Sequence, residues 1–171
     1  MKKEFEGYKL FIFDMDNKVL CTTKSGDKFR RSPDDWIFIS GRLELLQGLK
    51  QVGKKIAVAS NQAGVAYGYS SYKAWIETLY AFKEAGNFDA VKCSFCHILG
   101  TVETFRKDDG RRLPQGGMLR EILKDLGIAK EYTLMIGSTE EYYLAAKLLG
   151  IAFSWSSDFF ALPIPAQEEV E

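Results

Sequence analysis

Short apolar runs alternate with stretches of helical periodicity along almost the whole chain. Residues 8–13 form an aromatic and branched run, bounded by Gly7 and by Asp14-Met15-Asp16-Asn17. The run lacks polar alternation, which predicts a strand buried on both faces. Leu43, Leu45, Leu46, Leu49 and Val52 then recur at helical spacing and stop at Gly53. Residues 55–59 read as a second buried strand. Residues 71–85 carry Trp75, Leu79 and Phe82 on one helical face and end at Gly86, and residues 90–96 make a third strand. Residues 118–126 repeat Leu119, Ile122, Leu123 and Leu126 before Gly127, the pattern of a helix with a glycine stop. Residues 133–136 predict a fourth strand, 140–149 a helix closed by Gly150, and 151–155 a fifth strand.

Strands alternating with helices predict an α/β fold, a Rossmann-like three-layer sandwich around a mostly parallel five-stranded sheet. Residues 1–162 are expected to make one domain, and 163–171 an acidic tail. The 17–40 segment has room for a small β-hairpin flap, with no large cap domain. In such sheets a ligand lies beyond the carboxyl ends of the strands. The polar residues there are Asp14, Asp16, Ser60-Asn61-Gln62, Cys96-His97, Ser138 and Ser156-Ser157-Asp158.

Composition narrows the class. Among 171 residues 46% are hydrophobic and 27% charged, enough for one core and a soluble surface. Lys+Arg and Asp+Glu both total 23, which excludes a strongly basic nucleic-acid module or an acidic disordered chain as a description of the whole. No apolar run approaches the ~20 residues of a membrane helix, and the first residues lack the pattern of a secretory signal. Three cysteines are too few, and odd in number, for a disulfide framework. A soluble protein of the reducing cytoplasm, without a membrane partner, is the expectation.

Two carboxylates spaced two residues apart after a buried strand repel one another unless a cation or a proton offsets their charge. One carboxylate can attack phosphorus to form an acyl-phosphate, while the other protonates the departing oxygen and later deprotonates water. A magnesium ion would neutralise phosphate and nucleophile together. An ordinary cap or turn at Asp14 is the alternative. Ser60 and Asn61 offer donors for phosphate oxygens, or equally a helix N-cap.

Phe11-Ile12-Phe13-Asp14-Met15-Asp16 together with Ser60-Asn61-Gln62-Ala63-Gly64-Val65-Ala66-Tyr67-Gly68 resembles the haloacid dehalogenase-like (HAD) phosphatase superfamily. The Ser-Asn-Gln form is similar to the branch, of subfamily III type, containing histidinol, heptose bisphosphate and polynucleotide 3′-phosphatases. Gly26-Asp27-Lys28-Phe29 and Ser32-Pro33-Asp34-Asp35-Trp36 resemble the polynucleotide enzymes in particular. The likeness covers roughly residues 8–155. It implies a magnesium-dependent phosphomonoester hydrolase with an aspartyl-phosphate intermediate. Asp14 is then nucleophile and metal ligand, and Asp16 is general acid/base with its carbonyl on the metal. Ser60 and Asn61 hold the phosphoryl group.

Three positions depart from that pattern. Lys18 stands where threonine is usual. The third-motif lysine is either Lys107, after Phe105-Arg106, or is replaced by Leu113, leaving Arg111 or Arg112 as the cation. In the fourth motif an acidic pair should follow Gly137, but Ser138 and Tyr142 occupy its places. Ser138 and Glu141 stand as the remaining metal positions, with Glu140 and Asp158 as neighbours, although Glu140 and Glu141 also suit the positive end of a helix. A weakened metal site is expected.

Cys93-Ser94-Phe95-Cys96-His97 lacks the further ligands of a zinc site and reads as core cysteines beside a hydrogen-bonded histidine. An open mouth suits a bulky phosphorylated substrate, a nucleic-acid 3′ end ahead of a sugar phosphate, or closure by a second copy in a homo-oligomer. Lys24, Lys28, Arg30 and Arg31 on the flap are the residues to attract a polyanion, unless they form a charged solvent-facing hairpin. Two further readings stay open. One is a phosphatase-derived binding or scaffold protein in which Ser138 and Leu113 record lost catalysis, and the other is phosphoryl transfer to an acceptor other than water.

Overall fold

The computed structural model describes residues 5–16, 19–28, 30 and 32–161. The expectations for Lys18, Arg31 and the acidic tail fall outside the described residues. Five strands form one parallel sheet: β1 (Leu10–Phe13), β4 (Lys55–Asn61), β5 (Ala90–Ser94), β6 (Thr133–Gly137) and β7 (Ala152–Trp155), in the order β5-β4-β1-β6-β7. Two short strands, β2 (Cys21–Thr22) and β3 (Ile37–Phe38), pair antiparallel as the hairpin expected within 17–40. The helices are α1 (Arg42–Gln51), α2 (Tyr72–Gly86), α3 (Gly117–Leu126), α4 (Glu140–Leu149) and a five-residue α5 (Ser156–Phe160).

The two-residue period of a strand explains the layering. Phe11 and Phe13 of β1, Ile56 and Val58 of β4, and Leu134 and Ile136 of β6 point into one core cluster. Leu10 and Ile12, Ala57 and Ala59, and Met135 point into the other. The first cluster holds α1, α2, α5 and the hairpin residues Trp36 and Phe38 against the sheet. The second holds α3 and α4. Helix ends follow the sequence: Ser71 caps α2 by accepting from the Ala74 N–H, and Gly127 and Gly150 close α3 and α4 in the left-handed conformation.

Periodicity did not reveal α5. A five-residue helix shows too few turns, and Phe159 is buried only because it packs against Phe5, Phe11 and Phe13 from the far end of the chain. The third strand stops at Ser94, and Phe95 and Cys96 are buried beyond its end.

Asp89, immediately before β5, ties together the edge of the sheet remote from the strand tips. It accepts from Lys50 of α1 at 2.8 Å, from Lys55 at 2.9 Å and from the Ile56 N–H at 2.9 Å. Partial burial pushes its carboxyl up, but those bonds outweigh it and hold the group below the usual carboxylate range. A carboxyl lowered by folding contributes stability above its unfolded value, and that contribution is lost as pH falls through the folded value. Asp89→Ala is therefore expected to lower unfolding free energy by about 1–3 kcal/mol at pH 7. The deficit should shrink in urea titrations repeated at progressively lower acidic pH.

Candidate active site

Register sets the floor of the site. Phe13 lies level with Val58 of β4 and Ile136 of β6, so Asp14 stands at the carboxyl end of the sheet between β6, which ends at Gly137, and β4, which runs on through Ser60 to Asn61. The Asp14 N–H donates to the Ile136 carbonyl at 3.1 Å, which extends the ladder by one residue and pins Asp14 between its neighbours. Asp14 is fully buried. Its Oδ1 accepts from the Asp16 N–H at 3.3 Å, from the Ser60 hydroxyl at 3.5 Å and from the Tyr142 hydroxyl at 2.5 Å.

Asp16 is held from both sides. Arg30 reaches in from the hairpin and donates through Nε at 2.9 Å and Nη2 at 2.5 Å to Oδ1. Gln62 donates to Oδ2 at 2.6 Å, and the same Nε2 lies 2.9 Å from Ser60 Oγ. Arg30 is further fixed by the Pro33 carbonyl at 2.9 Å and by the Trp75 ring below its guanidinium. The polyanion role expected of Arg30 is thus corrected. Its guanidinium turns inward to offset the aspartate pair, while Lys24 and Lys28 lie exposed.

Ser60 and Asn61 are the last residues of β4, so neither is a helix N-cap; that place belongs to Ser71. Asn61 exchanges two 3.0 Å bonds with the Leu113 backbone, donating to its carbonyl and accepting from its N–H. One Nδ2–H and the amide oxygen are thereby turned to the 109–115 loop, so Asn61 positions that loop. Leu113 itself is buried among Met118, Leu119 and Ile122.

The cations of the third motif separate. Lys107 is exposed, and Arg111 pairs with Glu121 at 2.8 Å. Arg112 is half-buried beside Leu113, with Nη1 buried and lacking a hydrogen-bond partner among the described residues. Of the three, Arg112 is the one whose guanidinium has a buried donor without a partner among the described residues.

The fourth motif is where the structure departs most from expectation. Glu140, Glu141 and Asp158 are exposed, the first two in the opening turn of α4 and the third on α5. No described contact brings Glu141 to Asp14, so its expected metal role is not supported. Ser138 and Thr139 hydroxyl oxygens are buried without hydrogen-bond partners among the described residues. Tyr142 is almost fully buried against Asp14; burial first, and then the Asp14 charge, push its phenol well above the ordinary range, so it stays a donor.

The donor set decides how well magnesium fits. Among the described residues no group of three or more His, Cys, Asp or Glu side chains could hold a metal ion. Asp14 Oδ1 already accepts from Tyr142, Ser60 and the Asp16 N–H, the Asp16 carboxylate is taken by Arg30 and Gln62, and Ser138 is neutral, so little carboxylate oxygen is left to replace water around this ion. The described residues do not fit it as a resident cofactor.

The same holds for zinc among the described residues. Cys21, Cys93 and Cys96 are free and buried, and burial pushes all three thiols up. His97 accepts at Nδ1 from the Leu99 N–H at 3.1 Å and lies 2.9 Å from the Tyr67 hydroxyl, the hydrogen-bonded role expected of it. Sequence reasoning placed Gln62 at the strand ends without a role, turned Arg30 toward a polyanion, and noted Tyr142 only as a missing acid.

Known proteins sharpen the picture. The family model described as polynucleotide kinase 3 phosphatase matches residues 9–145. The D-glycero-beta-D-manno-heptose-1,7-bisphosphate 7-phosphatase of Pasteurella multocida is 31% identical over 119 residues, 67% of this chain and 64% of that protein. The Escherichia coli K12 enzyme of the same name is 29% identical over 119 residues, 66% and 62% of the two chains. This chain thus spans just under two thirds of those relatives' length.

In structure, the D,D-heptose 1,7-bisphosphate phosphatase of B. bronchiseptica, complexed with magnesium and phosphate, superposes with a TM-score of 0.68 at 24% identity, covering 85% of this chain and 78% of that one. A HAD-superfamily hydrolase of Geobacter sulfurreducens gives 0.58 at 15% identity, covering 91% and 100%. The fold is HAD-like, and the chain belongs to the polynucleotide kinase 3 phosphatase family.

Proposed function

We propose that this protein hydrolyses phosphomonoesters, with Asp14 as nucleophile and Asp16 as general acid and base. The observation that carries the reading is the convergence of Asp14, Asp16 and Ser60 at the tips of adjacent strands, with Ser60 Oγ 3.5 Å from Asp14 Oδ1. An Asp14 oxygen attacks phosphorus; an oxygen–phosphorus bond forms as the ester oxygen departs and takes a proton from Asp16. Water then attacks the acyl-phosphate, giving its proton to Asp16 and releasing phosphate. Arg30 and Gln62 set the direction of the Asp16 carboxyl, and Ser60 and Arg112 supply donors to phosphate oxygens.

Magnesium is the ion that the family resemblance implies and that the B. bronchiseptica structure carries. Since this donor set does not fit it, no step above runs through a metal.

For the substrate, heptose bisphosphate phosphatases recur among the relatives, which favours a sugar phosphate. The family model favours a second reading, a polynucleotide 3′-phosphate. Inward commitment of Arg30 removes one cation from the face that a polyanion would meet and weighs toward the first. The test is phosphate release from heptose 1,7-bisphosphate, other sugar phosphates and 3′-phosphorylated oligonucleotides, each with and without Mg²⁺. Release that depends on Asp14 supports the proposal, and sugar phosphates should turn over fastest. A panel with no Asp14-dependent release overturns it in favour of a binding or scaffold role.

A further inference from the structure

Tyr142 stands where the resemblance expects a metal-anchoring acid, yet its hydroxyl bonds the nucleophile itself, 2.5 Å from Asp14 Oδ1. Two carboxylates facing each other at that point need a cation between them. A phenol facing a carboxylate needs none, because the phenol donates a proton and reaches further from its backbone than aspartate does. The ring thus fills the space that an aspartate would leave to an ion and its waters.

The backbone is shaped to admit it. Tyr142 is 2% exposed and lies against the end of β6, where a Cβ on Gly137 would meet Tyr142 Cβ at 2.5 Å and Cγ at 2.9 Å. Any larger residue at 137 would push the ring off Asp14. The other acid of the pair is replaced by Ser138, whose buried hydroxyl carries no charge. Both changes remove negative charge from the same strand end, and one of them adds a donor aimed at Asp14.

We propose that Tyr142 is a positioning residue that takes over the hold on Asp14 which a divalent ion gives elsewhere on this fold, so that the site takes up phosphate without a resident metal. The inference rests on Asp14 being the nucleophile of the proposed function. Three donors on Oδ1 restrict rotation of the carboxylate and offset its charge, two things a coordinated cation would otherwise do. Arg30 on Asp16 supplies positive charge from the protein itself.

Calorimetry on the full chain tests this, with inorganic phosphate titrated in EDTA and again in excess Mg²⁺, and Mg²⁺ titrated alone. The wild type should bind phosphate equally in both conditions and show no saturable Mg²⁺ binding. Tyr142→Phe should weaken phosphate binding about tenfold, the loss of one charge-assisted bond. Ser138→Asp combined with Tyr142→Asp should gain saturable Mg²⁺ binding and make phosphate uptake depend on it, a switch that a merely structural tyrosine would not produce.

The proposal is overturned if wild-type phosphate binding disappears in EDTA and returns with Mg²⁺, if phosphate binds in neither condition, or if Tyr142→Phe binds phosphate as tightly as wild type. Should the double variant lose its circular dichroism spectrum, the wild-type and Tyr142→Phe titrations decide alone. Metal-free phosphate binding without turnover of any ester defeats only the hydrolase reading. Turnover that requires Mg²⁺ defeats only this proposal.

Discussion

Asp14→Asn is expected to leave no turnover above background while the protein stays folded. An amide does not form the acyl-phosphate, so the loss is chemical and should appear for every ester in the panel. The fold should survive because the asparagine oxygen still accepts from Tyr142, Ser60 and the Asp16 N–H, the three donors now on Oδ1. Removing a buried charge next to Asp16 also relieves repulsion, so the midpoint of thermal unfolding should stay level or rise. Asp16→Asn should be milder, slowing turnover by about 10²–10⁴-fold, the range for a positioned proton donor. Residual activity in Asp14→Asn equal to that of Asp16→Asn would remove the nucleophile role.

Phe82→Ala should have the largest effect on stability, about 3–5 kcal/mol as read from urea unfolding. Phe82 is fully buried in α2 and stacks on Phe38 at 5.3 Å and on Phe88 at 4.9 Å, with Trp36 edge-on at 5.1 Å. Those rings join three separate elements, so the cavity cannot close by one side chain shifting. Domains of this kind are typically stable by only about 5–15 kcal/mol, so the variant should unfold at distinctly lower urea. Trp36 and Phe38 belong to the hairpin region that also delivers Arg30. Loosening it should disturb the Arg30–Asp16 pair, and turnover should fall further than stability alone explains. Activity retained in full at temperatures where the variant is folded would show that the hairpin and the site are independent.

The same geometry bears on how the family pattern is used. Position 142 matches a family motif in place and departs from it in chemistry, and counting it as an absent ligand misses the donor it contributes. Asn61 matches the motif in type and place, and the structure adds a role the motif does not specify, since its amide oxygen and one Nδ2–H hold the Leu113 backbone. A motif places a backbone position reliably. What the side chain there can do depends on which neighbours reach it first.

The order of strands and helices was legible in the chain because each element's hydrophobic period is local. Two-faced runs such as 10–13 and 55–61 have no other stable home than the middle of a covered sheet. Parallel pairing then brought Asp14 and Ser60 to one end, since the carboxyl ends of neighbouring parallel strands lie at the same edge of the sheet. Chain-distant convergence was not legible. Arg30 lies 14 residues from Asp16 through a hairpin, Gln62 lies 46 residues away, and Tyr142 reaches Asp14 across 128. Sequence spacing carries no record of which side chains meet across such gaps, because packing of whole helices and the hairpin decides it. The α/β layering and the place of the acidic pair thus belong to the sequence alone, and the partners that hold the pair belong to the tertiary structure.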